Sequence, residues 1–336
     1  MLRNFIVAAC FTIHPAILVQ AQDTVIAEIP SGYGDPFISY IRQFPSLKTE
    51  NKARPKDRFV NFIFGHNQVN VLVQPVAVMA INLNDYFILD QENGTIFRVE
   101  DELGQITHFR DKTFKNFISL VGICRLPSEK ILFTDSYYNK IFFFSPGKKD
   151  LGVLNDSLTF DRPTGVAYSP VNQEIWIVET NAHRMTVLDQ NGNFIRRIGS
   201  RGTAPGEFNY PTSIWIDNSG KVFIVDAMNF RIQVFSADGN VLSVFGEPGD
   251  ATGYFARPKG IATDSQGNIY VADALYHTVQ IFDMLGNFLY NFGSQGRGEG
   301  EFWMPSGIYI DQQDYIYVAD SYNSRVQIFQ FIRGGQ

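Results

Sequence analysis

Five histidines and a recurring pairing of carboxylates with bases are the residues in this chain with the most chemistry to offer. His183 and His277 each stand four residues beyond an acid, Glu179 and Asp273, while His66 and His108 have no partner nearby in sequence. Zinc needs three or four converging ligands, and no H-x-H or H-x3-H pair occurs to start such a set. Arg325, Arg231, Arg184 and Lys140 each lie five residues past an acid: Asp320, Asp226, Glu179 and Asp135. These pairs read either as a ring of charged ligand contacts or as acids that organise a turn and hold a base on the next strand. Their repetition favours the second reading, because a requirement of the fold recurs in every unit whereas a single site breaks the symmetry. Asp217, Asp264 and Asp311 could serve calcium or acid-base chemistry. Each, however, opens an Asp-x-x-Gly or Asp-x-x-Asp turn, and turn formation accounts for all three. There is no G-x-S-x-G and no C-x-x-C-H, and Gly296, Gly298 and Gly300 lead into Glu, Phe and Trp instead of a phosphate-binding helix. No catalytic residue, metal or cofactor is expected.

All these residues sit inside one repeated phrase. Residues 211–226 read PTSIWIDNSGKVFIVD, residues 258–273 PKGIATDSQGNIYVAD and residues 305–320 PSGIYIDQQDYIYVAD; weaker copies end at Glu179, Asp135 and Asp90, with a spacing of 44 to 47 residues. A period in the forties made of short β-runs denotes propeller blades, each too small to bury both faces alone. In the unit that begins at Pro211, four runs follow one another, SIWID, KVFIVD, RIQVF and VLSVFG, separated by Gly, Asn and Asp turns. The expected fold is therefore all-β, a six-bladed β-propeller with four-stranded blades whose strands are named a to d outward from the axis. The last unit stops at its c-strand, RVQIFQF, and a d-type run, FVNFIFG, precedes the first unit at residues 59–65. That run is expected to complete the sixth blade, because such a closure removes an exposed strand edge.

Length and composition bound the rest. A net charge of −6 and a pI near 5.4 provide no basic field, so a nucleic-acid partner is not expected. Residues 1–21 read as an export signal, with Arg3, an apolar stretch over residues 5–13 and Val19, Gln20 and Ala21 as the cleavage site. His14 and Pro15 interrupt that stretch well short of the roughly 20 residues that span a bilayer, so no transmembrane segment is expected in the mature chain. Residues 22–58 read as a leader outside the ring, 59–331 as the propeller and 332–336 as a tail. After cleavage only Cys124 remains, and it reads as a small core residue. The expected location is secreted, periplasmic or otherwise in the cell envelope.

The long connections from strand d to the next strand a, residues 200–210, 247–257 and 294–304, share a rim with the b-to-c turns. Phe208, Phe255 and Phe302 occupy one register in them and read as wedges between blades. Their neighbours vary from blade to blade: Tyr210, Tyr254, Arg257, Arg297, Trp303 and Met304, to which the turns add Phe230, Tyr276 and Tyr322. Aromatic and arginine side chains dominate interfaces, so this rim is the expected binding surface.

The phrases PxGIxxD and GNIYVAD, and the b-to-c turn at residues 320–329, DSYNSRVQIF, resemble the NHL repeat family of six-bladed propellers, exported bacterial members above all. The resemblance is strong over residues 163–331 and weaker over 59–162, where Ala77 replaces the first-strand glycine and blade two has no opening proline. It implies a recognition surface more often than catalysis. The peptidyl-hydroxyglycine amidating lyases have similar repeats but carry zinc-binding histidines just after the blade-opening proline. Here those places hold Thr164, Thr212, Lys259 and Ser306, so the similarity does not carry the activity. The expected function is non-catalytic binding of an envelope or extracellular protein, or of a glycan. The alternative is a metal-dependent hydrolase or lyase at the mouth of the central channel.

Overall fold

The computed structural model describes residues 26–27, 36–45, 72–100, 105–109, 117–148 and 151–333. Six antiparallel sheets follow one another around an axis, as the repeat spacing predicts. Blade one comprises strands Pro75–Asn82, Asp85–Asp90, Thr95–Glu100 and Gln105–Phe109, and blade two Leu120–Arg125, Ile131–Asp135, Lys140–Phe144 and Leu151–Val153. Blade three is Pro163–Ser169, Glu174–Glu179, Arg184–Asp189 and Phe194–Ile198; blade four is Pro211–Ile216, Val222–Asp226, Arg231–Phe235 and Val241–Phe245. Blade five is Pro258–Thr263, Ile269–Asp273, Thr278–Phe282 and Phe288–Phe292. Blade six supplies Pro305–Ile310, Tyr315–Asp320 and Arg325–Arg333 as its strands a to c, and its a-strand packs against that of blade one to close the ring.

Strand b is buried along its whole length because a neighbouring blade covers each face. That is why VFIVD and IYVAD are almost continuously apolar up to their terminal acid. The cores lie between blades. Between blades three and four, Trp176, Val178, Met185 and Phe208 meet Ile214, Ile224 and Phe235.

The sixth blade is completed by an N-terminal strand, but by one earlier than expected. Pro36–Phe44 runs antiparallel to Arg325–Arg333, from Pro36 opposite Arg333 to Phe44 opposite Val326, and Ile26–Ala27 pairs outside it. The edge assigned to residues 59–65 is thus already filled by part of the supposed leader; residues 59–65 themselves lie outside the described residues. The physical reason is that the glycine ending the d-run serves the following loop. Gly199, Gly246 and Gly293 take φ of +97°, +93° and +89°, and a Cβ at any of them would collide with the wedge rings of Phe208, Phe255 and Phe302. Gly65 imitates that signature, whereas Phe44 is followed by Pro45 and not by a glycine. What fits Pro36–Phe44 for the edge is burial of Ile38 and the packing of Tyr40 edge-on against Phe329, 5.7 Å between ring centres.

Candidate functional site

The strand-end acids are structural. Asp320 is fully buried and accepts from the Trp303 backbone N–H (2.7 Å), Asn323 Nδ2 (2.9 Å), Arg325 Nε (2.7 Å) and Gln327 Nε2 (3.2 Å). Burial pushes its carboxyl above the ordinary carboxylate value, against the opposing pull of these donors. Arg325 donates onward to the carbonyls of Arg297, Gly298 and Glu301 and to Gln43 Oε1 on the closing strand. Asp226 and Arg231 repeat the device in blade four, where the arginine holds the carbonyls of Thr203, Ala204 and Glu207. In blades four and six, acid and base together therefore fix the long loop to the blade that follows it, whereas in blade five Asp273 alone accepts from its loop, Thr278 standing in the arginine's place.

The histidines are pins between blades. His183 Nδ1 accepts the backbone N–H of Tyr210, and His277 Nδ1 that of Met304, each at 3.1 Å. Both take positive φ, +53° and +56°, at the end of the b-to-c turn. At the same station Asn139 accepts from the N–H of Arg162 (2.9 Å) and Ser324 Oγ donates to the Val73 carbonyl (2.8 Å). A second belt runs just inside. Ser136, Thr180 and Ser321 donate their hydroxyls to the first a-strand carbonyl of the next blade, at Pro163 (2.6 Å), Pro211 (2.7 Å) and Pro75 (2.6 Å). Gln91 does the same toward Leu120 (3.2 Å), while blades four and five have Ala227 and Ala274 in that place. Among the described residues, no three His, Cys, Asp or Glu side chains converge to hold a metal ion.

The rim residues form small groups. The Arg297 guanidinium lies 5.0 Å above the Trp303 ring, and the backbone N–H of Tyr322 donates to the Trp303 carbonyl (3.1 Å). Trp303 is 37 % and Tyr322 58 % exposed, so this trio faces solvent. On the adjoining blade the Tyr276 hydroxyl donates to the Gly249 carbonyl, and the Tyr254 carbonyl accepts from Gln280 Nε2 (2.8 Å). Tyr210 meets His183 edge-on with ring centres 4.5 Å apart. Phe230 packs against the core between blades four and five, and Met304, at φ +54°, closes the loop before Pro305. Arg257 is exposed and gives its backbone N–H to Asp273 (3.0 Å).

Sequence reasoning named the channel mouth only for the alternative function and assigned no residues to it. The six a-strands surround a cavity of 1330 Å³. Its waist is narrowed by Trp215 of blade four, whose indole N–H donates to Thr263 Oγ1 of blade five (2.9 Å). The Trp215 ring also meets Tyr309 of blade six edge-on at 5.3 Å. Burial pushes the Tyr309 hydroxyl up to about 12. Below the waist, Asp264 and Asp311 accept from the hydroxyls of Tyr270 (3.0 Å) and Tyr317 (3.1 Å), and burial raises both carboxyls. Above it, the register slips after the opening proline, so that Thr212 and Lys259 stand at bulges and line the mouth. One signal was available: Trp215 and Tyr309 are large where the equivalent residues of blades three and five are Ala167 and Ala262.

This ring, with loops pinned to a rigid frame and a lined channel, defines a six-bladed β-propeller. The chain belongs to the 6-bladed beta-propeller family, whose profile matches residues 155–245 and 257–333. None of the curated proteins matches the sequence. Among solved structures it is similar to an auxiliary nutrient binding protein from Bacteroides thetaiotaomicron, at 14 % identity and a TM-score of 0.63, over 78 % of this chain and 70 % of that one. It is also similar to virginiamycin B lyase from Staphylococcus aureus, at 17 % identity and a TM-score of 0.56, over 78 % of this chain and 97 % of that one. A chain of the nidogen/laminin complex aligns at 17 % identity and a TM-score of 0.55, over 74 % of this chain and 86 % of that one. At such identities the likeness is one of fold.

Proposed function

We propose that this chain is an exported binding propeller that holds an envelope or extracellular protein, or a glycan, on the rim built by its d-to-a loops and b-to-c turns. The observation that carries this reading is the exposed trio of Arg297, Trp303 and Tyr322, one aromatic ring stacked under a guanidinium on a loop that Arg325 fastens to the blade. Rigid aromatic and arginine anchors bind at low entropic cost. An auxiliary nutrient binding protein of the same fold supports the binding half of the proposal. Export rests on the N-terminal sequence pattern of Arg3 and residues 5–13. The metal-dependent hydrolase or lyase alternative would need free ligands at the channel. His183, His277, Asp264 and Asp311 are instead engaged in the pins and turns described above.

The test is capture from the native envelope fraction and on a glycan array, comparing the wild-type ring with a Trp303→Ala, Arg257→Ala double variant of matched thermal stability. Loss of an anchoring tryptophan costs about 2 kcal/mol or more, roughly thirtyfold in affinity. Equal capture by the two proteins would refute the rim as the binding surface.

A further inference from the structure

The upper mouth of the channel carries charge of one sign. Two residues of each blade flank it, one before and one after the first residue of strand a. Among these twelve positions three are basic, Arg162, Arg257 and Lys259, and none is acidic. Lys259 is the bulged residue of blade five; it is partly buried and lines the channel. Its ammonium makes no hydrogen bond or ion pair among the described residues. The charges that act on it are those of Arg257 and Arg162, and with burial they push its pKa below the ordinary lysine value.

Among the described residues, no acid is placed to neutralise it. The strand-end acids of blades four and five, Asp226 and Asp273, are fully buried and already accept from Asn209, Arg231, Ala256 and Arg257. Asp161, beside Arg162, is exposed and is not among the charges acting on Lys259. On the adjacent blade Thr212 lines the same mouth, and its hydroxyl oxygen is turned away from solvent without a hydrogen-bond partner among the described residues. An unpaired, partly buried cation beside two others is costly to keep unless something answers it.

We propose that this mouth is a binding site for a compact oxyanion, the carboxylate, sulfate or phosphate group of a small ligand or of a polymer end. Lys259 supplies the central charge, the hydroxyl of Ser306 and, once its side chain rotates into the channel, that of Thr212 the directional bonds, and Arg162 and Arg257 the field at the entrance. The carboxylates of Asp264 and Asp311 sit at the opposite end, so the anion enters from the rim face and stops at the ring pair of Trp215 and Tyr309. The site does not depend on the rim trio.

The experiment is calorimetric titration of the purified full chain with sulfate, phosphate and glucuronate at constant ionic strength. Wild type should show saturable one-to-one binding of at least one of the three. Lys259→Met should weaken it about tenfold or more and Thr212→Val a few-fold, while Trp303→Ala leaves it unchanged. The tightest of the three probes tells an inorganic ion from a sugar acid. A second readout is thermal: the anion-dependent rise in Tm should exceed that of Lys259→Met, in which only the general salting effect remains. If Lys259→Met fails to fold, Arg162→Gln and Thr212→Val carry the comparison. Absence of saturation up to about 20 mM for all three anions, or equal binding by the folded variants, would overturn the site.

Discussion

Blade four lacks a hydrogen bond that blades two, three and six possess, and restoring it should stabilise the ring. Ala227 opens a short 3-10 turn, Ala227–Asn229, as Ser321 opens Ser321–Asn323 in blade six. The backbones match: Asp226 has φ −89° and ψ 76° against −87° and 77° for Asp320, and the closing Phe230 has φ 53° and ψ 42° against 54° and 41° for Ser324. A serine at position 227 would therefore point its hydroxyl at the Pro258 carbonyl as Ser321 points at that of Pro75 (2.6 Å). A hydrogen bond formed without strain contributes about 0.5–1.5 kcal/mol net. In a ring of this size that is a rise in Tm of about 1–4 °C. Ala274→Ser should do the same toward Pro305, and because the two interfaces share no side chain in these bonds the gains should add. The reciprocal change, Ser321→Ala, strips the donor from a buried carbonyl and should cost about 1–3 kcal/mol. Differential scanning calorimetry on the wild type, the three single variants and the Ala227→Ser, Ala274→Ser double variant reads all of this. If Ala227→Ser and Ala274→Ser are neutral or harmful while Ser321→Ala is tolerated, the hydroxyl belt contributes nothing to ring stability.

Three further outcomes follow from the same geometry. Arg325→Met leaves Asp320 buried without its base and takes a donor from three loop carbonyls, of which that of Glu301 keeps another, from Gln327, so urea unfolding should show a loss of about 3–5 kcal/mol. Burial pushes the Cys124 thiol up to about 12; its labelling by a disulfide reagent at pH 8 should be roughly a thousandfold slower than that of an ordinary thiol, and rapid labelling would show the thiol to be open. Lys259 titrates lower folded than unfolded, so its penalty is full below the folded pKa and fades as pH rises toward the usual lysine value. In anion-free buffer the advantage of Lys259→Met over wild type in urea should therefore shrink across that alkaline window, and a constant difference would contradict the assignment.

The number of blades, their strand order and the structural role of the acids were readable because every blade must solve the same problem, and repetition exposes the solution. Asp226 with Arg231 and Asp320 with Arg325 recur for that reason and bond as the repetition implies. The role of the histidines was not readable, because Nδ1 meeting the N–H of Tyr210 or Met304 depends on a left-handed turn that spacing does not encode. The closing strand was misassigned because an edge strand pairs through its main chain and needs little from its side chains. Residues 59–65 matched the loop-bearing pattern of a d-strand, and Pro36–Phe44 did not. Lys259 and Trp215 were overlooked since a bulge and a reach across a neighbouring blade become visible only once the a-strands stand in a circle.

The pairing of Pro36–Phe44 with Arg325–Arg333 sets an order on biosynthesis. Arg325 and Gln43, bonded at 2.8 Å, are 282 residues apart, so the clasp cannot snap shut until the last strand of the sixth blade has been made. Blades one to five can stack while the ribosome still works, each on the one before, but the earliest β-segment must wait, unpaired, for the latest. During that interval two sticky edges coexist in one molecule, and crowded nascent copies could exchange their clasps to give interlocked dimers.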